Sequence, residues 1–275
     1  MLQPIAITDA EPNNRARAAV RATFVAHGGR TRIARVYESG GLRLRHPHAA
    51  TCEAVIVNTG GGFAGSDLAE IQIATGDGAD ATIATQAAEK IYRSTGQPTS
   101  IDVSLRLAPK SRLDWLAQEA ILFDEARLHR RFAVTMAADS SLLLVESLVF
   151  GRLAKGEASI NGSVRDSWRI RRDGKLIFAE ELRLDGPLGA LLDRNAIGKG
   201  ARSTALLLHV APDAAEKLDA LRAALDPFGD LDQGASAWNG MLVARLASPS
   251  PAALRAAIVA ALAPLRGHPV PRVWL

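Results

Sequence analysis

Acidic side chains stand in this sequence at positions where the surrounding pattern calls for a buried apolar residue. In segment 175–184, alternate positions are leucine or phenylalanine, and Glu180 shares their face. In segment 164–170, Asp166 shares a face with valine, tryptophan and isoleucine. An ionised carboxylate that is buried alone is costly, so each of these groups needs an arginine, a hydrogen-bond network, water or a metal ion.

Two further acids interrupt apolar runs in the same way. Glu146 follows four aliphatic residues and precedes the run Ser-Leu-Val-Phe. Glu119 lies within 115–123, where both faces are largely apolar. Two interpretations are open: ion pairs with arginines such as Arg93, Arg152 or Arg169, or carboxylates that line a polar interior passage. Carboxylate oxygens and water would hold a divalent ion transiently, without the closed thiolate or imidazole cage of a structural metal site.

Other side chains give weaker chemical signals. His46 and His48 flank a proline, and Cys52 is close by, so these three are secondary metal candidates or parts of a surface turn. Cys52 is the single cysteine, which excludes an internal disulfide and a multi-cysteine metal site. The sequence contains no nucleophile elbow and no HExxH motif. Carboxylates lining a cleft leave a β-helical polysaccharide hydrolase or lyase as an alternative function.

A glycine-rich loop at 58–67 contains the pattern G-x-G-x-x-G. A dinucleotide site requires a helix to begin there, whereas the next segment alternates like a strand. We therefore expect a hairpin or corner in which glycine supplies positive φ angles. Asp67 ends the loop and is expected to be displayed by it.

The composition fits a globular protein. The chain has 275 residues, 48% hydrophobic and 23% charged, which argues against disorder. No apolar run is long enough for a membrane span, and the first twenty residues show no secretory signal, so a cytoplasmic protein is expected. The net charge is +4, and arginine dominates the basic residues, which are scattered along the sequence. The first interpretation of these arginines is a solvated basic surface, the second is an acidic protein partner, and nucleic acid comes last. No membrane partner is expected.

The pattern of the chain predicts strands first and helices late. Segment 100–107 alternates with a period of two, and Asp173-Gly174 predicts a tight hairpin. Helical spacing appears at 213–225 and at 251–265, the second with Ser250 as its N-cap. Segment 186–200 contains glycines and is a candidate mobile loop.

These elements predict a mainly β fold with a layered or helical, β-helix-like architecture and two helices in a small C-terminal α+β portion. Residues 1–200 would form the β-rich body. Residues 201–275 would form the α+β portion, packed on the body as one structural unit.

Five stretches together resemble the urease accessory protein UreD (UreH) family. They are NTGGGFAGSD at 58–67, TQAAEKIYRS at 85–94, WLAQEAILF at 115–123, ESLVFGR at 146–152 and PRVWL at 271–275. The resemblance runs from about residue 40 to the C-terminus, and the combination is specific although each piece is weak alone.

The resemblance implies a urease maturation factor without catalysis of its own. Such proteins bind apo-urease and a helical accessory protein F, which recruits the GTPase accessory protein G. The implied role is to guide Ni²⁺ through a water-filled interior to the urease active site. The resemblance implies no permanently bound cofactor and only transient binding of Ni²⁺.

The resemblance also assigns residues. The acidic positions of the family fall on Asp67, Glu146 and Glu180, and the alternation argument adds Asp166 to this nickel path. A second set is expected to shape the interior and the interfaces: Glu89, Lys90, Tyr92, Arg93, Gln118, Glu119 and Arg152.

Overall fold

The chain, analysed as a computed structural model, is described at residues 15–47, 49, 51–157 and 159–275. These residues form seventeen strands and three α-helices. The strands are β1 (Arg17–His27), β2 (Arg30–Ser39), β3 (Leu42–Arg45), β4 (Cys52–Asn58), β5 (Leu68–Thr75), β6 (Asp80–Thr85), β7 (Glu89–Ile91), β8 (Thr99–Leu107), β9 (Arg112–Leu116), β10 (Ala120–Leu122), β11 (Ala126–Met136), β12 (Ser141–Phe150), β13 (Asn161–Arg172), β14 (Lys175–Pro187), β15 (Ser203–Val210), β16 (Asp232–Trp238) and β17 (Met241–Ser248). The helices are α1 (Leu188–Asp193), α2 (Leu218–Leu225) and α3 (Pro251–Arg266).

The strands form two sheets that the chain visits alternately. The first sheet has the order β14-β13-β11-β8-β5-β1-β2. The second has the order β16-β17-β15-β12-β9-β6-β4-β3, with β7 and β10 paired beside it. From β4 to β13 the chain crosses from one sheet to the other, and neighbouring strands within each sheet are parallel. The strands therefore stack as a β-solenoid of about four turns, which confirms the helical, layered β architecture.

The main core lies between the two sheets because each strand turns alternate side chains inward. In β11 the even-numbered positions are buried, among them Leu128, Phe132 and Val134, while the odd-numbered positions face outward. The strand β12 is buried on both faces, since its Leu144 joins this core and its Val145 joins a second core.

The second core lies between the outer face of the second sheet and the helices α2 and α3. The helix predicted at 251–265 is confirmed as α3, and Ser250 caps it by accepting a hydrogen bond from the Ala253 amide. The helix predicted at 213–225 is confirmed only in its second part, because Ala214–Lys217 forms a 3₁₀ turn before α2. The short helix α1 is an addition, so the expectation of a mobile loop at 186–200 is wrong at its start. Leu188 and Leu192 of α1 are buried in the main core.

Strands on either side of residue 200 pair directly, since β12 is antiparallel to β15. The division into a body and a C-terminal portion stays a prediction. The predicted hairpin is confirmed between β13 and β14, and Asp173 and Gly174 both have positive φ, as a type I′ turn requires. None of the helices in the described part of the chain combines the length and hydropathy that a membrane span requires.

Arginines that are scattered along the sequence are gathered on the outer face of the first sheet. The outward positions of its described strands carry twelve arginines and four carboxylates, and we call this surface the basic face. The arginines are Arg17, Arg21, Arg30, Arg32, Arg35, Arg106, Arg127, Arg131, Arg165, Arg169, Arg171 and Arg183, and the acids are Glu70, Asp102, Glu181 and Asp185. Stacked turns bring together residues that are far apart in sequence, so the expectation of dispersed arginines is wrong for this surface.

Candidate functional site

Three charged side chains meet in the interior between the sheets. The Arg130 guanidinium donates to both oxygens of Asp166, at 3.0 Å from Nε and 2.5 Å from Nη2, and its Nη1 donates to Glu146. Each of the three residues is 5% exposed. We call Arg130, Glu146 and Asp166 the charged triad.

Strand register explains why the charged triad forms. Arg130 in β11 and Asp166 in β13 are direct partners in a parallel pair, and both occupy inward positions. Glu146 points inward from β12 of the opposite sheet, and the indole Nε1 of Trp115 donates to its second oxygen at 2.7 Å. The inward orientation inferred for Glu146 and Asp166 from alternation is therefore confirmed.

The charges of the triad do not cancel. Two carboxylates share one guanidinium, so full ionisation leaves one net negative charge in the interior. Burial raises the pKa of Glu146 to about 7, because the attraction of Arg130 is divided between two acids. Burial acts to lower the pKa of Arg130, but Asp166 and Glu146 outweigh it and raise that pKa, so the guanidinium stays protonated. The site can therefore accept a proton or a further cation near neutral pH.

Glu180 lies at the entrance to this interior. It projects from β14, with 27% of its side chain exposed, and pairs with Arg245 of β17 in the opposite sheet. The ion pair thus joins the two sheets at their open edge. Glu119, the fourth acid, pairs with Arg255 at 3.4 Å. All four acids have arginine partners, but these are Arg130, Arg245 and Arg255 rather than the arginines suggested by the sequence, which pair with Glu125, Glu157 and Glu181.

Two cavities meet at the charged triad. An edge cleft of about 470 Å³ opens between the sheets and is lined by Glu180, Arg245 and all three triad residues. An inner cavity of about 60 Å³ lies deeper and is lined by Glu89, Trp115 and Gln118. Arg130 and Glu146 line both cavities, so this ion pair is the partition between them.

Glu89 faces the inner cavity from β7. The Asn58 amide donates to it at 2.9 Å, and no salt bridge to it is formed by any described residue. Burial raises its pKa to about 7, and the hydrogen bond from Asn58 opposes this shift. Glu89 and Glu146 therefore give the inner cavity two carboxyl groups that titrate near neutrality.

Gln118 connects the inner cavity to the C-terminal residues. Its amide donates to the Val273 carbonyl at 2.9 Å, and its oxygen accepts from Arg255. Arg255 also donates to the Trp274 carbonyl and lies 4.8 Å from the centre of the indole ring. The motifs at 115–123 and 271–275 thus form one structural unit with α3.

Asp67 does not join the acids of the interior. Its two oxygens accept from the Ala16 and Ala64 amides at 2.8 and 2.7 Å, and the residue is 7% exposed. The expectation that the loop displays Asp67 is wrong, because the carboxylate instead satisfies backbone donors at a corner between the sheets. The loop itself is the expected glycine corner. A Cβ on Gly62, whose φ is 147°, would lie 2.4 Å from the Tyr92 ring.

The remaining predicted interface residues cluster beside this corner. Tyr92 donates to the Gly61 carbonyl at 3.0 Å and packs edge-on against Phe123. Arg152 lies 4.2 Å from the centre of the Phe123 ring and forms a bidentate pair with Glu157. The remaining two, Lys90 and Arg93, are exposed.

The secondary metal candidates are not brought together with the triad. His46 binds the Glu53 carbonyl through Nδ1 at 2.6 Å, and burial raises the pKa of the half-buried Cys52. His48 lies outside the described residues. Among the described residues, no group of three or more His, Cys, Asp or Glu side chains is arranged to hold a metal ion.

The alternating pattern of the sequence also indicates that Arg130 faces inward. It occupies an inward position of the alternating run 126–136, between Leu128 and Phe132, as Glu146 and Asp166 do in their own runs. Applying the same alternation argument to basic residues would have identified it.

Comparisons with known proteins agree with the architecture and the motifs. The family model described as "UreD urease accessory protein" matches residues 16–275. A urease accessory protein UreD of Beijerinckia indica is 53% identical over 95% of this chain and 97% of its own length. Two others, from Methylobacterium sp. strain 4-46 and Xanthobacter autotrophicus, are each 49% identical over 94% of this chain and at least 90% of their own length. The chain belongs to the UreD family of urease accessory proteins, and its role is in urease maturation.

Proposed function

We propose that this chain is a non-catalytic scaffold that guides Ni²⁺ through its interior toward the active site of apo-urease. Its partners would be apo-urease and accessory protein F, and through the latter the GTPase accessory protein G. The observation that carries the proposal is the position of the charged triad between an open cleft and an inner cavity, with one uncompensated negative charge when both acids are ionised.

The sizes of the two cavities support a change in hydration along the path. The edge cleft of about 470 Å³ has room for a hydrated dication beside Glu180. The inner cavity of about 60 Å³ has room for only about two waters, since each occupies about 30 Å³ in the liquid. A dication there would exchange part of its hydration shell for carboxylate oxygens, and Glu146 and Glu89 supply them.

The triad supports a gate for cations rather than a storage site. When Arg130 spans both acids, it compensates much of their charge and closes the partition. An arriving dication could take the place of the guanidinium between Glu146 and Asp166, which the net negative charge favours. Once the ion leaves, Arg130 returns to both carboxylates. A permanent metal centre would instead require a preformed ligand set.

The sharpest test compares two neighbouring glutamates of β14 that point to opposite faces. Glu180→Gln removes the charge at the edge cleft, and Glu181→Gln removes the same charge from the basic face. Urease co-expressed with each variant is purified, and its nickel content and activity are measured. We expect Glu180→Gln to lower the nickel content at least twofold at limiting nickel, and Glu181→Gln to leave it unchanged.

Thermal melts of both variants serve as the control for folding. Glu180 is partly exposed, so its replacement costs about 1 kcal/mol or less through the pair with Arg245. Equal nickel content of urease matured with the two variants would refute the conduit and leave a purely structural scaffold.

A further inference from the structure

The basic face is a large charged surface with no covering element in the described structure. The helices α2 and α3 pack on the second sheet, at the other side of the molecule. The twelve arginines exceed the four acids of this face by eight charges, whereas the whole chain has a net charge of +4. The charge of the protein is therefore strongly polarised toward one side.

Several arginines of the basic face make no polar contact with the other described residues. Arg35, Arg106 and Arg183 are exposed, and their side chains form no hydrogen bond or salt bridge with any described residue. In contrast, Arg131 is held by a bidentate pair with Asp102 at 2.6 Å for both bonds. Free guanidinium groups beside anchored ones give the surface both unused donors and fixed positions.

The basic face is not flat, and it contains grooves that a partner could occupy. Two shallow grooves, of about 740 and 460 Å³, run across its strands and share Arg21 and Tyr37. Arg35 and Arg106 line the smaller groove, and Arg17 and Arg131 line the larger one. The unpaired donors are thus concentrated at a concave part of the surface.

We infer that the basic face docks a carboxylate-rich surface of a folded protein partner, with Arg35 and Arg106 as central contacts. This rests on the proposed function, which supplies apo-urease and accessory protein F as candidate partners. Arginine forks match carboxylates in bidentate geometry, and a surplus of charge accelerates association with an acidic surface.

The chemistry of the face disfavours nucleic acid. Glu70 and Asp102 lie among the arginines and would repel a continuous phosphate backbone. Among the described outward residues of this face, Tyr37 is the single aromatic, and Arg21 already lies 5.3 Å from its ring centre. A stacking platform for bases is therefore missing. Interspersed acids suit a protein surface, where they would fix the register against basic groups of the partner.

The test uses charge reversal of the whole chain at matched sites. Arg35→Glu/Arg106→Glu changes the basic face, and Arg222→Glu/Arg272→Glu makes the same charge change on exposed elements that pack on the second sheet. Binding of each variant to purified apo-urease and to purified accessory protein F is measured by biolayer interferometry at 50, 150 and 400 mM NaCl. Circular dichroism melts verify that both variants fold.

We expect the first variant to bind one of the two proteins at least about tenfold more weakly at 150 mM NaCl, with a flatter salt dependence. The control variant should bind like the wild type. Unchanged affinity of the first variant, or an equal loss in the control, would overturn the docking face while leaving the nickel proposal intact. Failure of the wild type to bind either protein would instead remove the partnership on which both proposals depend. Preferential binding of a 20-base-pair RNA duplex would also overturn the inference.

Discussion

At the scale of single residues, the interior of this protein contains acids whose environment opposes their ionisation. Glu89 forms no salt bridge with any described residue, and burial raises its pKa to about 7. Glu146 has a partner that it shares, and its pKa also rises to about 7. Ionisation of Glu89 and Glu146 inside the solenoid thus lowers the free energy of unfolding. Such a cost is characteristic of groups that are retained for a purpose other than stability.

Replacing Glu89 should therefore stabilise the protein in a pH-dependent manner. Its pKa is higher in the folded state than in the unfolded state, so the wild type loses stability as the pH rises from about 4.5 to about 7. Glu89→Gln keeps an acceptor for Asn58 and removes this loss. We expect a gain of about 1–3 kcal/mol at pH 8 and almost none at pH 4.5, measured by urea denaturation. A gain of the same size at both pH values would contradict the assigned cause.

His209 is a buried base, and its pKa is shifted in the opposite direction to those of the two acids. It is 4% exposed, neither ring nitrogen has a hydrogen-bond partner among the described residues, and Asp213 Oδ1 lies 3.7 Å from Nε2. Burial, aided by Lys217, lowers its pKa to about 4, so its contribution to stability is complete above about pH 6.5 and falls as the pH approaches 4.

His209→Leu should remove up to about 3 kcal/mol of the stability loss that acid pH causes in the wild type. At pH 7 the variant should be as stable as the wild type or more so, because no polar contact is lost. Denaturation curves between pH 4 and 7 measure the slope, and exposed His27→Gln is the control that should retain the wild-type slope. A wild-type slope in His209→Leu would show that other groups cause the acid sensitivity.

At the scale of elements, the residues near the C-terminus close the second core. Trp274 is 3% exposed, its indole donates to the Leu116 carbonyl of β9 at 3.1 Å, and Arg255 covers the ring. The motif PRVWL is therefore explained by packing against α3 and β9 rather than by a contact with nickel.

Trp274→Ala should destabilise the protein by about 3–5 kcal/mol, since it leaves a large cavity and an unpaired carbonyl. The neighbouring Leu275 is 89% exposed, so Leu275→Ala should change stability by less than about 0.5 kcal/mol. Thermal and urea denaturation of the pair measure the difference. A small effect of Trp274→Ala would mean that the second core closes without this side chain.

Sequence patterns sufficed for features that depend on alternation within one strand or on a local turn. The inward faces of Glu146 and Asp166, the hairpin at Asp173-Gly174 and the cap at Ser250 all belong to this class. The pairing of Arg130 with two acids did not follow, because it depends on which strands become neighbours. The environment of Asp67 was missed for a similar reason, since one of its donors, Ala16, is 51 residues away.

At the scale of the whole molecule, the solenoid separates two kinds of electrostatics. The interior holds a surplus of carboxylate around the charged triad, and the basic face holds a surplus of arginine. Asp166 and the arginines of the basic face arise from the same period-two pattern on opposite sides of the strands of the first sheet, whereas Glu146 is contributed by β12 of the second sheet. A cation inside and an acidic protein outside could therefore be recognised without competing for the same side chains.

The hydrogen bond between Trp274 and Leu116 can form only late in the synthesis of the chain. The two residues are 158 positions apart, and at about 5–20 residues per second the ribosome needs roughly 8–30 s to synthesise the chain between them. Turns that contain β4 to β9 can stack during this interval while the outer side of β9 still lacks its tryptophan. We therefore expect the nascent chain of this protein to expose the apolar outer side of β9 for many seconds and to be bound by general chaperones during translation.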